Sequence, residues 1–410
     1  MSDKTILVIG TYDTKDDELG YLTGVIKEQG GAVLTMDVSV LGDPSSPCDY
    51  SKHDVAEEGG SSIAAAIASG NENDAMQIMG KGSALLAARL HSEGKIHGMI
   101  VLGGTMGTDL ALDVCSALPL GVPKYIVSTV SFSPLIPAER LAADTQMILW
   151  AGGLYGLNSV CKASLSQAAG AVLGAARAVE APDAAKPLIG MTSLGKTALK
   201  YMVALKPALE ERGYEVAVFH ATGMGGRAFE SLAAQGAFAC VFDFCTQELG
   251  NDLHGSSISA GPGRLTAAGL NGTPQLVAPG CYDLVDIVGW QPVPEKWDEH
   301  PKHAHNRLLT SIVMNEQERK QIAQAHGAQL AKATGPVAVL LPQAGLGEWD
   351  REGADLHDAE GLRVFLDELE TALPSNASVH KIDGHINDDI FAQTALSLFD
   401  EWRDAGLVVG

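Results

Sequence analysis

Residues Gly103 to Leu110 read GGTMGTDL, an order of types suited to an anion. Three glycines let the backbone turn its N–H groups toward one point, and the hydroxyls of Thr105 and Thr108 add donors. No carboxylate precedes the helix expected to follow, so a phosphate seated on Gly103, Gly104, Thr105, Gly107 and Thr108 would also gain from the positive end of that helix. A second stretch, GTYDTKDDEL from Gly10 to Leu19, offers Gly10 for close backbone approach, Thr11 and Thr14 as hydroxyls and Lys15 as a cation. Thr14 with Asp17 three residues on also spells an ordinary helix cap. Asp13, Asp16 and Asp17 would repel a bare phosphate, and a divalent cation held between carboxylate and phosphate removes that opposition. Asp37, Ser39 and the hydroxyls of STVSFS, Ser128 to Ser133, supply polar groups fit for a sugar or base.

A third stretch, GMTSLGKT at 190–197, matches G-x-x-x-x-G-K-[ST] letter for letter. In a true loop of that kind Lys196 reaches the terminal phosphates, Thr197 the metal, and a carboxylate closing another strand, here Asp243 in FACVFD, holds Mg²⁺ through water. The competing reading is an ordinary strand-to-helix turn, since such turns are rich in Gly, Ser and Thr, with Lys196 exposed. Four later segments carry further chemistry: Asp243, Thr246 and Glu248 in DFCTQELG; Arg264 in GRLTAAG; His303, His305, Asn306 and Arg307 in HAHNR; Asp383, His385, Asn387 and Asp388 in DGHINDD. From these, Asp243, Glu248, His305 and His385 are the candidates for acid, base or substrate contact, and Arg264, Asn306 and Asn387 for holding a substrate. Asn387 and Asp388 equally suit the start of a helix, His385 suits a structural role and His303 a solvated surface. A His-x-His pair on a strand points both rings one way and could bind a metal, but no metal ligand set stands out. No G-x-S-x-G elbow occurs.

Short β-branched runs alternating with amphipathic stretches position these motifs, and that alternation predicts parallel sheets covered on both faces by helices. The first half gives strands at 5–10, 32–40, 98–104, 124–130 and 146–152, with helices over 16–29, 74–93 and 158–179. The second gives strands at 186–193, 214–221, 238–244, 274–280, 335–342 and 378–383. Between them AVEAPDAAKP loses periodicity and carries two prolines, so we expect domains at 1–180 and 187–410 joined by a linker at 181–186. Trp290 to His305 reads as an arm or a loop over a cleft.

At 410 residues the chain is long enough for two cores. Its 28 basic and 50 acidic residues leave a net charge of −22, which disfavours nucleic acid and anionic membranes as partners. No secretory signal or membrane-spanning run is evident, and the six cysteines form no C-x-x-C pair, so a cytoplasmic location is expected.

Taken in order, GTYDTK, GGTMGT, DFCTQELG, RLTAAGLNGTPQLVAPGCYDLVD, HNR and HINDDIFAQTA resemble uncharacterised bacterial and fungal proteins related to the ATP-binding inhibitor domain of tomato's tomato mosaic virus resistance protein. The resemblance runs from Thr5 to Ala395. It implies two Rossmann-like three-layer α/β/α domains in series with an interdomain cleft, ATP with Mg²⁺ as ligand, and a homodimer. Matching positions put nucleotide contacts at Gly10 to Lys15 and Gly103 to Thr108. They put Asp243 to Glu248, Arg264, His305 with Asn306, and His385 to Asp388 on the facing side of the cleft. That family's corresponding turn lacks a lysine, so the GKT of this chain departs from it.

The expectation is therefore a cytoplasmic Mg-nucleotide-binding protein that uses ATP on a small metabolite in the interdomain cleft. Three alternatives stay open: a non-catalytic nucleotide-sensing module acting through a protein partner, a small-acid or sugar enzyme without ATP turnover, and a P-loop hydrolase using Lys196 and Asp243.

Overall fold

The structure, a computed structural model, describes residues 4–180 and 186–408. The chain divides into two compact units, Met1–Pro182 and Asp183–Gly410. The expected linker at 181–186 lies, apart from Lys186, outside the described residues.

In the first unit, β1 (Thr5–Gly10), β2 (Ala32–Asp37), β3 (Gly98–Gly103), β4 (Lys124–Ser128) and β5 (Thr145–Leu149) form one sheet in the order β2-β1-β3-β4-β5. Every pairing is parallel. Strand side chains alternate between faces, and both faces of β1 are covered, which is why ILVI is apolar without a break. Ile6 and Val8 pack with Leu19, Leu22, Leu165 and Val172 from the helices Asp16–Glu28 and Ser159–Ala178. Leu7 and Ile9 pack with Met79, Leu86, Leu110 and Val114 from the helices Glu72–Ser92 and Thr105–Ala117.

The second unit repeats this plan with one more strand. β6 (Leu188–Ser193), β7 (Glu215–His220), β8 (Cys240–Cys245), β9 (Gln275–Gly280), β13 (Val337–Pro342) and β14 (Ala377–Ile382) run parallel in the order β14-β13-β9-β8-β6-β7. A register shift between Asp243 and Cys245 bends β8 against β9 at the carboxyl edge. All eleven parallel strands lie within two or three residues of their expected places. A third sheet was not expected: β10 (Leu284–Val288), β11 (Lys302–Ala304) and β12 (Leu309–Val313) pair antiparallel in the order β10-β12-β11. The stretch expected to be an arm belongs to it, anchored by Trp297, which is buried in the core beside Ile312 and Val285.

In both units the strand order turns back at one place, between β1 and β3 in the first and between β6 and β8 in the second. Neighbouring loops leave such a point in opposite directions, which opens a crevice at the carboxyl edge where ligands of parallel α/β sheets bind. No helix among the described residues is long and apolar enough to cross a membrane.

Candidate functional site

A cavity of about 730 Å³ opens at the switch point of the first sheet. Gly10, Thr11, Asp13, Thr14 and Lys15 line it from the β1 loop, Ser39 from the β2 loop, and Gly103, Gly104, Thr105 and Gly107 from the β3 loop. Its floor is the entrance of the helix Thr105–Ala117. No side chain caps that helix and its first turn carries no acidic residue. Among the described residues, nothing accepts from the amides of Gly104, Thr105, Met106 or Gly107, whereas Thr108 N is already bonded to Gly104 O. Four adjacent donors at a helix N-terminus, facing a cavity, form a nest for an anion. Lys15, which lines the same cavity, has its Nζ on its own β1 loop, 3.3 Å from Thr11 Oγ1 and 3.2 Å from Thr14 Oγ1.

Asp37 and Thr108 do not reach the cavity. Asp37 is buried and accepts from Tyr12 N, Ser39 N and Ser39 Oγ, so it fixes the two loops that do reach it. Thr108 Oγ1 bonds Gly104 O and Ser128 Oγ, each at 2.6 Å, which pins the start of the helix to β4. Asp13 is held by Ser39 Oγ on its amide and by Gly42 N on Oδ2, while its buried Oδ1 has no partner. The sequence reading missed the opposite wall, built from Val40, Leu41, Ala66, Ile67, Asn71 and Met76, and it missed Tyr155 at the mouth. Its only signal was Asn71, an N-cap three residues ahead of Asp74.

The GKT turn differs from this nest. Leu194 N donates to Ala198 O, and Thr197 N and Ala198 N both return to Leu194 O, so three of the turn's five amides, Thr197 among them, are bonded within it. The helix begins only at Lys200, and Asn387 Oδ1 accepts from Leu199 N and Lys200 N at its entrance. Asn387 Nδ2 also holds Thr197 O at 2.8 Å, which makes Asn387 a cap for a distant helix and not a group free to hold a substrate. Lys196 is exposed. Lys196→Ala is therefore expected to leave nucleotide affinity unchanged in calorimetric titration, and a tenfold or greater loss, about 1.4 kcal/mol, would restore the P-loop reading.

At the switch point of the second sheet stands a sealed ion network instead of a cavity wall. Arg264, fully buried, donates to both oxygens of Asp243 at 2.5 and 2.6 Å, to Glu248 Oε2 at 2.9 Å and to Glu230 Oε1 at 3.1 Å. Asp243 Oδ1 also accepts from Thr192 Oγ1, and Glu248 Oε1 from the amides of Gly223 and Gly226 at the entrance of the helix Met224–Ala234. Burial pushes the Glu230 and Glu248 carboxyls up, against the pull of Arg264. Burial alone would lower the guanidinium, but Asp243, Glu248 and Glu230 hold it firmly charged. Asp243 and Glu248 thus lie on the single cation Arg264, out of reach of solvent, and not open to a substrate.

His385 is locked as well. Asn387 N and the Arg351 guanidinium both donate toward Nδ1, which must therefore accept, leaving the proton on Nε2 for Gly347 O at 2.8 Å and Asp350 Oδ1 at 3.2 Å. The imidazole ties the loop after β14 to the loop after β13 and has no free nitrogen for acid or base work. His305 is exposed, 5.6 Å from the Trp349 ring, with His303 at 4.1 Å. Asn306 Oδ1 is spent on Leu308 N and Leu309 N, shaping the turn before β12. Among the described residues, no hydrogen bond or ion pair joins Glu248, His305 and His385, and no group of three or more His, Cys, Asp or Glu could hold a metal ion.

One buried acid is under strain of another kind. Asp283, in the turn between β9 and β10, has an unpartnered Oδ1, and burial, helped by the charge of Asp350, pushes its carboxyl up to about 7. The folded chain thus holds a proton there that the unfolded chain has released above pH 4. The stability this contributes is fully present below about pH 4 and is lost as pH rises through 7. Asp283→Asn cannot ionise, so it is expected to be more stable than the parent at pH 8 by on the order of 1–3 kcal/mol and to melt higher, a gain that shrinks toward pH 5. Identical melting curves at both pH values would refute this.

Comparison with known proteins places the chain. The N-terminal domain of the uncharacterised protein family UPF0261 matches residues 4–181, and the C-terminal domain of the same family matches residues 186–403. A UPF0261 protein of Brucella melitensis is 53% identical over 404 residues, covering 98% of this chain and 97% of its own. A UPF0261 protein of Clostridium tetani is 36% identical over 395 residues, covering 95% and 96%. The ToMV resistance protein Tm-1 of Solanum lycopersicum is 29% identical over 426 residues, covering 97% of this chain and 55% of that protein.

Proposed function

Because the chain belongs to the uncharacterised protein family UPF0261 through both of its domains, its activity has to be argued from its site, and we propose that it binds a Mg-nucleotide, ATP in the first instance, in the cavity of the first unit. The observation that carries this reading is the set of four unpartnered amides from Gly104 to Gly107 at a helix entrance without acidic residues. They offer a net negative chain a local seat for phosphate, with Lys15 as a cation lining the same cavity. The apolar wall of Val38, Val40, Ala66 and Met76 suits a base or ribose face, and the volume lies within the usual range for small-molecule sites. Mg²⁺ fits on limited terms: the orphaned Asp13 Oδ1 is one protein oxygen beside the cavity, so the phosphates and water would supply the other ligands. The metal would screen Asp13 and the phosphates from each other.

Calorimetric titration with ATP, with and without Mg²⁺, tests the reading. Saturable binding that strengthens with Mg²⁺ is expected, and the absence of heat with ATP, ADP and GTP alike would end it.

Between binding with turnover and binding without it, the second has the specific support. Asp243, Glu248 and His385 have their polar atoms committed inside the second unit, which leaves no free acid–base pair among them. We therefore take the non-catalytic form, a nucleotide-sensing module acting through a protein partner, as the reading to test, and one relative, 29% identical, is a virus resistance protein. Release of phosphate from ATP at a rate that saturates with ATP would overturn the non-catalytic form.

A further inference from the structure

Tyr155 is 96% exposed, although the turn that carries it is tied down on both sides. Leu154 before it is buried in the core, and Gly156 N after it donates to Oε1 of Glu18, itself buried, at 2.8 Å. The ring lies against Gly153: a β-carbon there would stand 2.5 Å from Tyr155 Cδ2 and 2.7 Å from Cε2, so only glycine lets the ring rest where it does. One face is thus supported by backbone, while the ring as a whole is left in water. A large aromatic side chain left uncovered on an anchored turn forgoes the burial that normally stabilises it.

Tyr155 borders the mouth of the cavity. Leu41, 80% exposed, and Ile67, 51% exposed, border the same opening from other segments. The helices beside Tyr155, Asp16–Glu28 and Ser159–Ala178, cover one face of the sheet, and those beside Ile67 cover the other. The opening therefore has apolar lips belonging to opposite layers above a floor of free amides. An inorganic anion would use the floor alone; a molecule with an anionic end and a flat apolar end would use both.

We propose that Tyr155 is a specificity-determining residue that stacks on the planar base of the nucleotide, so that the site selects nucleotides over bare polyphosphates. This rests on the nucleotide reading of the cavity. The ring supplies a π-face and no edge-reading donor set, so selection is for an aromatic base as a class and not for one base.

The test compares ATP with inorganic tripolyphosphate on the full chain, with the parent, Tyr155→Ala and Tyr155→Phe. Tyr155→Ala is expected to weaken ATP about ten- to hundredfold, as loss of one base–aromatic stack does, while tripolyphosphate affinity stays put and Tyr155→Phe keeps ATP binding. If Tyr155→Ala leaves ATP unchanged, or weakens both ligands equally, Tyr155 is not the base contact, although the amide nest stands. If the parent binds neither ligand, the nucleotide reading itself falls and this one with it.

Discussion

Gly104→Val is expected to abolish ATP binding while leaving the protein folded. The nearest heavy atom to a β-carbon at Gly104 is Thr129 Oγ1 at 3.7 Å, an ordinary contact, and the backbone there, at φ −80° and ψ −148°, lies outside the left-handed region that favours glycine. Folding should therefore tolerate the substitution, with a change in Tm of about 2 °C or less. The added isopropyl group would stand at the N-cap of the helix Thr105–Ala117, beside the amides of Thr105, Met106 and Gly107, where a phosphate would have to approach. A hydrogen bond from a neutral donor to a charged acceptor contributes about 1.5–3 kcal/mol, so losing two costs at least a hundredfold in affinity. Gly103 would be the wrong choice for the same experiment. A β-carbon there lies 2.6 Å from Gly107 Cα and would push the helix off the sheet, confounding binding with stability. Calorimetric titration beside thermal melting separates the two, and an unchanged affinity in a folded Gly104→Val protein would remove the nest as the phosphate seat.

Much of the architecture was legible because strand and helix periods differ and because each parallel strand is apolar on both faces. Ile6 to Ile9 and Met99 to Leu102 announce buried strands with no further information. The antiparallel sheet was harder to read. Only three residues separate the end of β9 from LVDIV, so the two strands merge into one apolar tract, and Trp297 hides in a polar, proline-rich run.

At the site, glycine spacing pointed to the residues of the β1 and β3 loops that line the cavity, because close backbone approach is written in residue type. Asp37, the last residue of β2, and Thr108, in the first turn of the helix Thr105–Ala117, lie close by but face inward, a distinction of side-chain direction that sequence does not encode. The opposite wall comes in part from a short helix, Ile63–Ala68, whose alanines and isoleucines read as generic core. Polar residue types in the second unit were equally ambiguous. Asp243, Glu248 and Arg264 are what a catalytic cleft would need, and also what a buried charge network needs.

That ambiguity has a measurable resolution, because a catalytic trio and a structural one respond differently to loss of the arginine. Arg264→Met keeps an unbranched apolar stem and removes the charge together with the donors that reach Asp243, Glu248 and Glu230. It leaves Asp243, Glu248 and Glu230 facing one another with no cation, and the exposure of Arg264 and Glu248 is zero, so water cannot replace it. Breaking a buried pair on one side costs about 3–5 kcal/mol. For a unit of this size that lowers Tm by roughly 6–20 °C. The pH response gives the mechanism its signature. Burial already raises Glu230 and Glu248, and removing Arg264 takes away the opposing pull, so both rise further. A carboxyl with a raised folded pKa is most favourable to folding at low pH and loses that contribution as pH climbs through the folded value. The variant should therefore recover part of its lost stability when pH falls from 8 toward 5, relative to the parent. The Arg264 loop is also held with Leu265 at φ 76°, a left-handed conformation costly for leucine, and Glu230 grips the amides on either side of Thr266. Without the arginine, that strain has less to restrain it. A variant that melts with the parent at pH 8 would mean the three acids find other partners or water, and Asp243 and Glu248 would return as candidates for chemistry.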